Sequence, residues 1–271
     1  MADLFLHSLF YDLDSEENGR HLNRLSALFF LVAAFSLPSI AFAQGGPPLT
    51  TDDPGTPGDG HWELNIASQW NPNEDGSNLQ LPLLDINYGY GAHLQFNLNT
   101  SLINAIPNQD RAKTGVSVAS LATKWRFIDE QVLGINVSTY PRVSFHHPLA
   151  SDNPAINAPG TSYLLPIELS KQLGPIGVNP EVGFGWYTQT SSEWVYGLAL
   201  SYSWAKETEA LVEIHGSFKL GSSEQELLYN IGTRYPVTEN MSFIAALGRT
   251  FKVYRDSLRS WNVYTGLQIR H

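Results

Sequence analysis

The chain has 271 residues, no cysteine, 12% aromatic and only 15% charged residues, and a formal net charge of −10. That acidic balance excludes the basic footprint of a nucleic-acid binder, and the missing cysteines exclude a disulfide-braced secreted domain. A helical membrane bundle needs several apolar runs of about 20 residues, and one run alone comes near that.

That run is near the start. Residues 1–19 carry Asp3, Asp12, Asp14, Glu16 and Glu17, unlike the basic opening of an export signal, and read as an upstream start that the cell need not use. Arg20 and Arg24 then precede the apolar stretch Leu25 to Leu37, and Ala41-Phe42-Ala43 stands just before Gln44. Basic residues, a short apolar core and a small-x-small site make a secretory signal, with cleavage expected before Gln44. The alternative is an anchor helix, against which the shortness of the run and the quality of the site both argue. Residues 1–43 are therefore expected to be an extension plus signal peptide. Residues 44–60, rich in Gly, Pro, Asp and Thr, cannot form regular structure and are expected as a periplasmic lead-in or a tuck into a barrel mouth.

From residue 61 the pattern changes to a period of two. His61 to Trp70 alternates Trp62, Leu64 and Ile66 with Glu63, Asn65 and Ala67. Leu79 to Tyr88 changes parity near Pro82, which predicts a bulge. His93 to Leu102 is the clearest segment, with Leu94, Phe96, Leu98 and Leu102 opposite Gln95, Asn97, Asn99 and Ser101. Nine more follow: Val116 to Phe127, Leu133 to Val143, Tyr163 to Lys171, Ile176 to Tyr187, Trp194 to Trp204, Ala210 to Phe218, Leu227 to Tyr235, Met241 to Phe251 (of ambiguous phase) and Ser260 to Arg270. A period of two marks strands whose faces see different solvents. Twelve of them behind an export signal predict an all-β fold, a transmembrane antiparallel up-and-down β-barrel over residues 61–271. Connections that are mostly short at one end, with two long ones (103–113 and 144–162) at the other, agree with an outer-membrane barrel better than with a soluble sandwich. The expected location is the bacterial outer membrane. The expected partners are its lipids, the barrel-assembly machinery during biogenesis and small-molecule solutes, with no nucleic acid, cofactor or metal.

The inward positions supply the candidate functional residues. Glu63, Asp85, Glu168, Glu181 and Glu213 stand against Lys124, Arg126, Arg142, Arg234 and Arg270. A field across a lumen orients polar solutes. The same residues also suit a network of ion pairs that braces a filled barrel. His215 and Ser217 are the one hint of hydrolysis, but a nucleophile needs its base within hydrogen-bond reach, and residues two apart on a strand are about 7 Å apart. Asp52, Asp53 and Asp59 read as turn residues more than as calcium ligands, and His146-His147 lacks further zinc ligands.

Leu49-Thr50-Thr51-Asp52-Asp53-Pro54-Gly55-Thr56, running to Gly60-His61-Trp62-Glu63-Leu64-Asn65, and Pro82-Leu83-Leu84-Asp85-Ile86-Asn87-Tyr88-Gly89, together with Leu165-Pro166-Ile167-Glu168-Leu169-Ser170-Lys171, resemble the family named for the MetA pathway of phenol degradation. The resemblance spans most of the chain after the signal and implies an outer-membrane transporter-like barrel, with no substrate attached. The resulting expectation is a barrel that passes small molecules, hydrophobic or aromatic ones included, and is not an enzyme. The alternatives are a barrel lipid hydrolase using His215 and Ser217, or a structural or adhesive barrel without transport.

Overall fold

The computed structural model describes residues 45–253 and 259–271. The extension, the signal and its cleavage site lie outside the described residues. The described chain is all-β apart from one short helix. Its strands are β1 (Trp62–Asn73), β2 (Gly76–Tyr90), β3 (Leu94–Pro107), β4 (Lys113–Val116) and β5 (Ala119–Ile128). After helix α1 (Glu130–Leu133) come β6 (Asn136–Thr139), β7 (Arg142–Phe145), β8 (Ser162–Leu173), β9 (Ile176–Tyr187), β10 (Glu193–Ala205), β11 (Thr208–Lys219), β12 (Gln225–Thr238), β13 (Met241–Val253) and β14 (Arg259–Arg270). Each strand pairs antiparallel with its neighbours, and β14 returns to β1 in a register running from Glu63↔Arg270 to Trp70↔Val263. The ladder therefore closes, leaving no edge with unpaired backbone groups.

Fourteen strands make twelve staves, because two staves are each broken in two. β4 and β5 both pair with β3, and β6 and β7 both pair with β8. The segment expected as one strand from Leu133 to Val143 is instead the end of α1 followed by β6 and β7, interrupted at Tyr140-Pro141. The cause is local. Pro141 and, across the ladder, Pro166 have no amide hydrogen to donate, so the pairing stops at Thr139↔Ile167 and resumes in the same register at Arg142↔Leu164. In the other broken stave the Ser101 amide donates to the Ser117 hydroxyl at 2.8 Å, where a side chain replaces a ladder partner. The parity change at Pro82 is a bulge, with the β2–β3 register shifting between Gln80 and Leu83.

One expected long connection is shorter than its sequence suggested. Residues 103–113 are largely a continuation of the ladder, with Ala105↔Lys113 as its last pair. The loop at 146–161 is a true loop, and it folds back on the broken stave: the Asn157 amide donates to Val116 O at 3.0 Å, and Asn157 Oδ1 accepts from the Val118 amide at 2.9 Å.

The two faces differ as the alternation requires. Outward side chains such as Ile66, Phe96, Leu98, Leu198, Ile231 and Leu247 are exposed. Aromatics gather toward both ends: Trp62, Trp125, Tyr202 and Trp204 at one, Trp70, Tyr163, Trp186 and Trp194 at the other. Two aromatic girdles flanking an apolar band are what a bilayer selects on a barrel exterior. The ambiguous phase of β13 resolves with Phe243 and Leu247 outward, while Ile244 and Ala246 pack inward with Ala67 and Tyr264. Leu98→Arg would place a charge at mid-strand on the apolar band, at a cost of about 2–4 kcal/mol near a bilayer midplane. Asn99→Arg, one residue along and facing the polar interior, should leave assembly intact. The altered gel mobility of folded barrel before and after heating checks this. Equal loss from both substitutions would contradict the lipid-facing assignment.

Candidate functional site: the lumen and the segment inside it

The inner wall is polar and largely buried. Asn65 on β1, Asn87 on β2, Gln95 and Asn97 on β3, Asn230 on β12, Asn262 and Gln268 on β14 all point inward. Against this wall lies the lead-in segment. It occupies the barrel interior well beyond the mouth, with Thr51 packed against Gly197 at the middle of β10. A side-chain carbon at Gly197 would collide with the Thr51 side chain, so this close approach requires glycine.

The composition of the segment explains the charges around it. Buried backbone groups must find partners. Pro47, Pro48, Pro54 and Pro57 have no amide hydrogen, so the segment is rich in carbonyl acceptors and poor in donors. The wall meets those carbonyls with cations. Arg234 Nη2 donates to Gly45 O at 2.9 Å and to Pro47 O at 2.8 Å. Lys124 Nζ donates to Asp53 O, and Arg126 Nη1 to Pro54 O at 3.4 Å. Where the segment presents three successive amides, the wall supplies carboxylates. Glu213 accepts from the Thr50 amide at 3.0 Å and from the Thr51 amide, and Glu181 Oε2 accepts from the Asp52 amide at 2.9 Å. Charge-assisted bonds of this kind are roughly twice as strong as neutral ones.

Side chains complete the clamp. Lys124 Nζ lies 2.8 Å from Asp52 Oδ1, 3.8 Å from Glu168 Oε2 and 4.6 Å from the centre of the Tyr140 ring. Burial pushes the Asp52 carboxyl up, and the Lys124 ammonium with its hydrogen bond more than offsets this, so Asp52 stays below its ordinary value and is ionised at neutral pH. Arg234 Nη1 pairs with Glu209 Oε2 at 2.7 Å. The Ser138 hydroxyl donates to Glu168 at 2.7 Å, and the Asn230 amide donates to Glu213 at 2.7 Å.

A network of direct ion pairs within the wall is one of the two readings the sequence allows for these charges. In the structure Lys124 and Glu168 approach one another, but Lys124, Arg126, Arg234, Glu181 and Glu213 all bind the inserted segment. Arg126 pairs with Asp129 at 2.8 Å near the rim. Glu63 pairs with Arg270 at 3.3 Å where the barrel closes. Asp85 takes amide donors, from Asn65 at 3.0 Å and from Asn97. Arg142 lies over the Tyr140 ring, 5.2 Å from its centre.

Several contributors were not singled out from sequence. Asp52 and Asp53 read as turn residues, yet Asp52 is the side-chain anchor of the segment. Glu209 was assigned to a turn. Extending the alternation of Leu211, Glu213 and His215 back two residues places it on the inner face. The wall amides Asn65, Gln95 and Asn97 stand in the sequence only as the polar half of the alternation, and Tyr140 carries no charge to mark it. His215 lies beside a small cavity with Glu193 and Tyr187, and among the described residues no hydrogen bond joins it to Ser217. Asp59 Oδ1 accepts from the Gly91 amide at 2.8 Å, a turn contact.

Two cavities flank the segment. The larger, about 920 Å³, is lined by Asp85, Asn87, Gln95, Asn97, Asn99 and Arg142 among others. The smaller, about 220 Å³, is bordered by Glu168, Glu181 and His215. Thr50, Asp52, Arg142 and Ser144 border both.

No family model matches the chain, and no curated protein matches it in sequence. Its fold is shared by solved barrels. The COG4313 outer membrane channel from Pseudomonas putida F1 superposes with a TM-score of 0.66 at 11% identity, over 85% of this chain and 98% of that one. The NanC porin gives 0.56 at 12% identity, and the KdgM porin 0.51 at 11%, each over 76% of this chain and 98% of the other. At such identities the likeness is one of fold: a closed twelve-stave antiparallel barrel of the kind found in outer-membrane channels and porins.

Proposed function

We propose that this chain is an outer-membrane channel for small polar solutes, throttled by its own residues 45–57. The observation that carries the reading is the pairing of a roomy hydrophilic cavity with a segment that lies between it and a smaller one and that, among the described residues, is bonded to the wall through side chains. A permanently filled barrel has no use for an internal space of about 920 Å³ bordered by amides, hydroxyls and charges. The lining also bears on the cargo. Amides and hydroxyls favour solutes that exchange hydrogen bonds, and a purely hydrophobic molecule would leave them unsatisfied.

We also propose membership of the phenol-degradation family, on the motifs that carry the resemblance. Asp52 and Asp53 in the first motif, Asp85 in the second and Glu168 in the third supply polar groups to the lumen and its clamp. The motifs thus have a physical reason to recur together.

Liposome swelling with neutral sugars of increasing size, beside single-channel recording, tests the channel. Small sugars should enter with a sharp size limit. Silent bilayers and unswollen liposomes, both for the intact chain and after removal of residues 45–57, would overturn the reading.

A further inference from the structure

We propose that Arg142 is the docking point for the carboxylate of a small hydroxylated solute, held in the larger cavity between Arg142 and the amide wall of β2 and β3. This rests on the channel reading and specifies its cargo.

The argument begins with what the other inward charges do. Glu213, Glu181, Lys124 and Arg234 hold the inserted segment, Glu63 and Arg270 pair with one another, and Arg126 has Asp129. Arg142 stands apart. Among the described residues it has no ion pair and no hydrogen bond, and its guanidinium is held only over the face of Tyr140. Such stacking fixes the plane of the group and leaves its donors available. The carboxylates facing it at longer range are Asp52, Glu181 and Asp85. All three are committed elsewhere, to Lys124, to the Asp52 amide and to the amides of Asn65 and Asn97.

Position adds to this. Tyr140 and Arg142, two residues apart, keep the same parity across the break at Pro141 and so share the inner face, and Arg142 borders both cavities. A partly buried guanidinium without a partner is unfavourable, and an entering carboxylate relieves it through two parallel hydrogen bonds that match the guanidinium fork. Beyond that point the solute meets Asn87, Gln95, Asn97 and Asn99 across the cavity, with Ser120 and Ser144 beside Arg142. Side-chain amides both donate and accept, as sugar-like hydroxyls do.

Gluconate and glucose, close in size and differing in the carboxylate, are the probes. Calorimetric titration of the full chain in detergent should show gluconate binding at least tenfold more tightly than glucose. Arg142→Gln should bring the two affinities together, and Arg142→Lys, which keeps the charge but loses the fork, should retain only part of the preference. If Arg142→Gln fails to fold, Arg142→Lys carries the test, with an expected loss of at least threefold for gluconate and none for glucose. Equal affinities for the two probes in the intact protein, or unchanged gluconate affinity in the folded variants, would overturn the proposal. Benzoate binding as tightly as gluconate would overturn the hydroxyl part of it. Liposome swelling on the same preparations keeps the two readings distinct. Solute passage without Arg142-dependent binding removes this inference alone, whereas no passage removes the channel.

Discussion

Deleting residues 45–57 should raise single-channel conductance several-fold while leaving the barrel folded. None of the segment's contacts belongs to the strand ladder, whose closure runs through β1 and β14. The clasp that starts β1 lies after the deletion and survives it: the Gly60 amide donates to Gly89 O at 3.0 Å, and the Gly89 amide to His61 O at 2.9 Å. What is lost is the material separating the two cavities, since Thr50 and Asp52 border both. Water then replaces backbone at Glu213, Glu181, Lys124 and Arg234, and hydrated wall charges conduct ions. Conductance in planar bilayers, read beside the heat-dependent gel mobility of the same protein, decides the matter. Unchanged conductance would mean that the segment is not the constriction. Loss of the folded form would make it a structural brace.

Lys124→Met should destabilise the barrel by about 3–5 kcal/mol, the usual cost of stranding a buried charge. The Lys124 side chain is 3% exposed and that of Glu168 is 0% exposed, so Glu168 cannot turn to bulk water, whereas the Asp52 side chain, 21% exposed, still reaches the cavity. An exposed pair would be worth about 0–1 kcal/mol, and the difference between these ranges is large enough to measure. The triple variant Lys124→Met, Asp52→Asn, Glu168→Gln should recover most of the loss, because it removes the stranded ions together. Urea unfolding in detergent, followed by tryptophan fluorescence, provides the comparison. A loss near zero for Lys124→Met alone would show that the lumen around Lys124 is wet, contrary to its burial.

The difference between what could and could not be read along the chain follows from distance. Alternation is a local property, so most staves and their lipid-facing sides were legible from a few neighbouring residues, the phase of Met241–Val253 being the exception. Ile176–Tyr187 has the same bounds in the sequence reading and in the structure. The prolines at 82 and 141 show how far that reach extends. The bulge at Pro82 was visible because it shifts parity within one segment. The break at Pro141 was not, because it depends on Pro166 in the facing stave.

The site lay beyond local reach almost entirely. The Asp52 amide and Glu181 are 129 residues apart, and Thr50 and Glu213 are 163 apart. Nothing in the residues around Asp52-Asp53-Pro54-Gly55 distinguishes a solvated turn from one threaded through a barrel. By itself the sequence determined the twelve alternating staves, the inner and outer faces of all but Met241–Val253, and the charged character of the inner positions, because a strand's two faces are set by parity alone. Only the tertiary structure decided that a proline-rich segment enters the lumen, which wall charges satisfy its backbone and which one is left over. Those outcomes depend on how distant groups meet once the ladder closes, and on the requirement that every buried donor and acceptor find a partner.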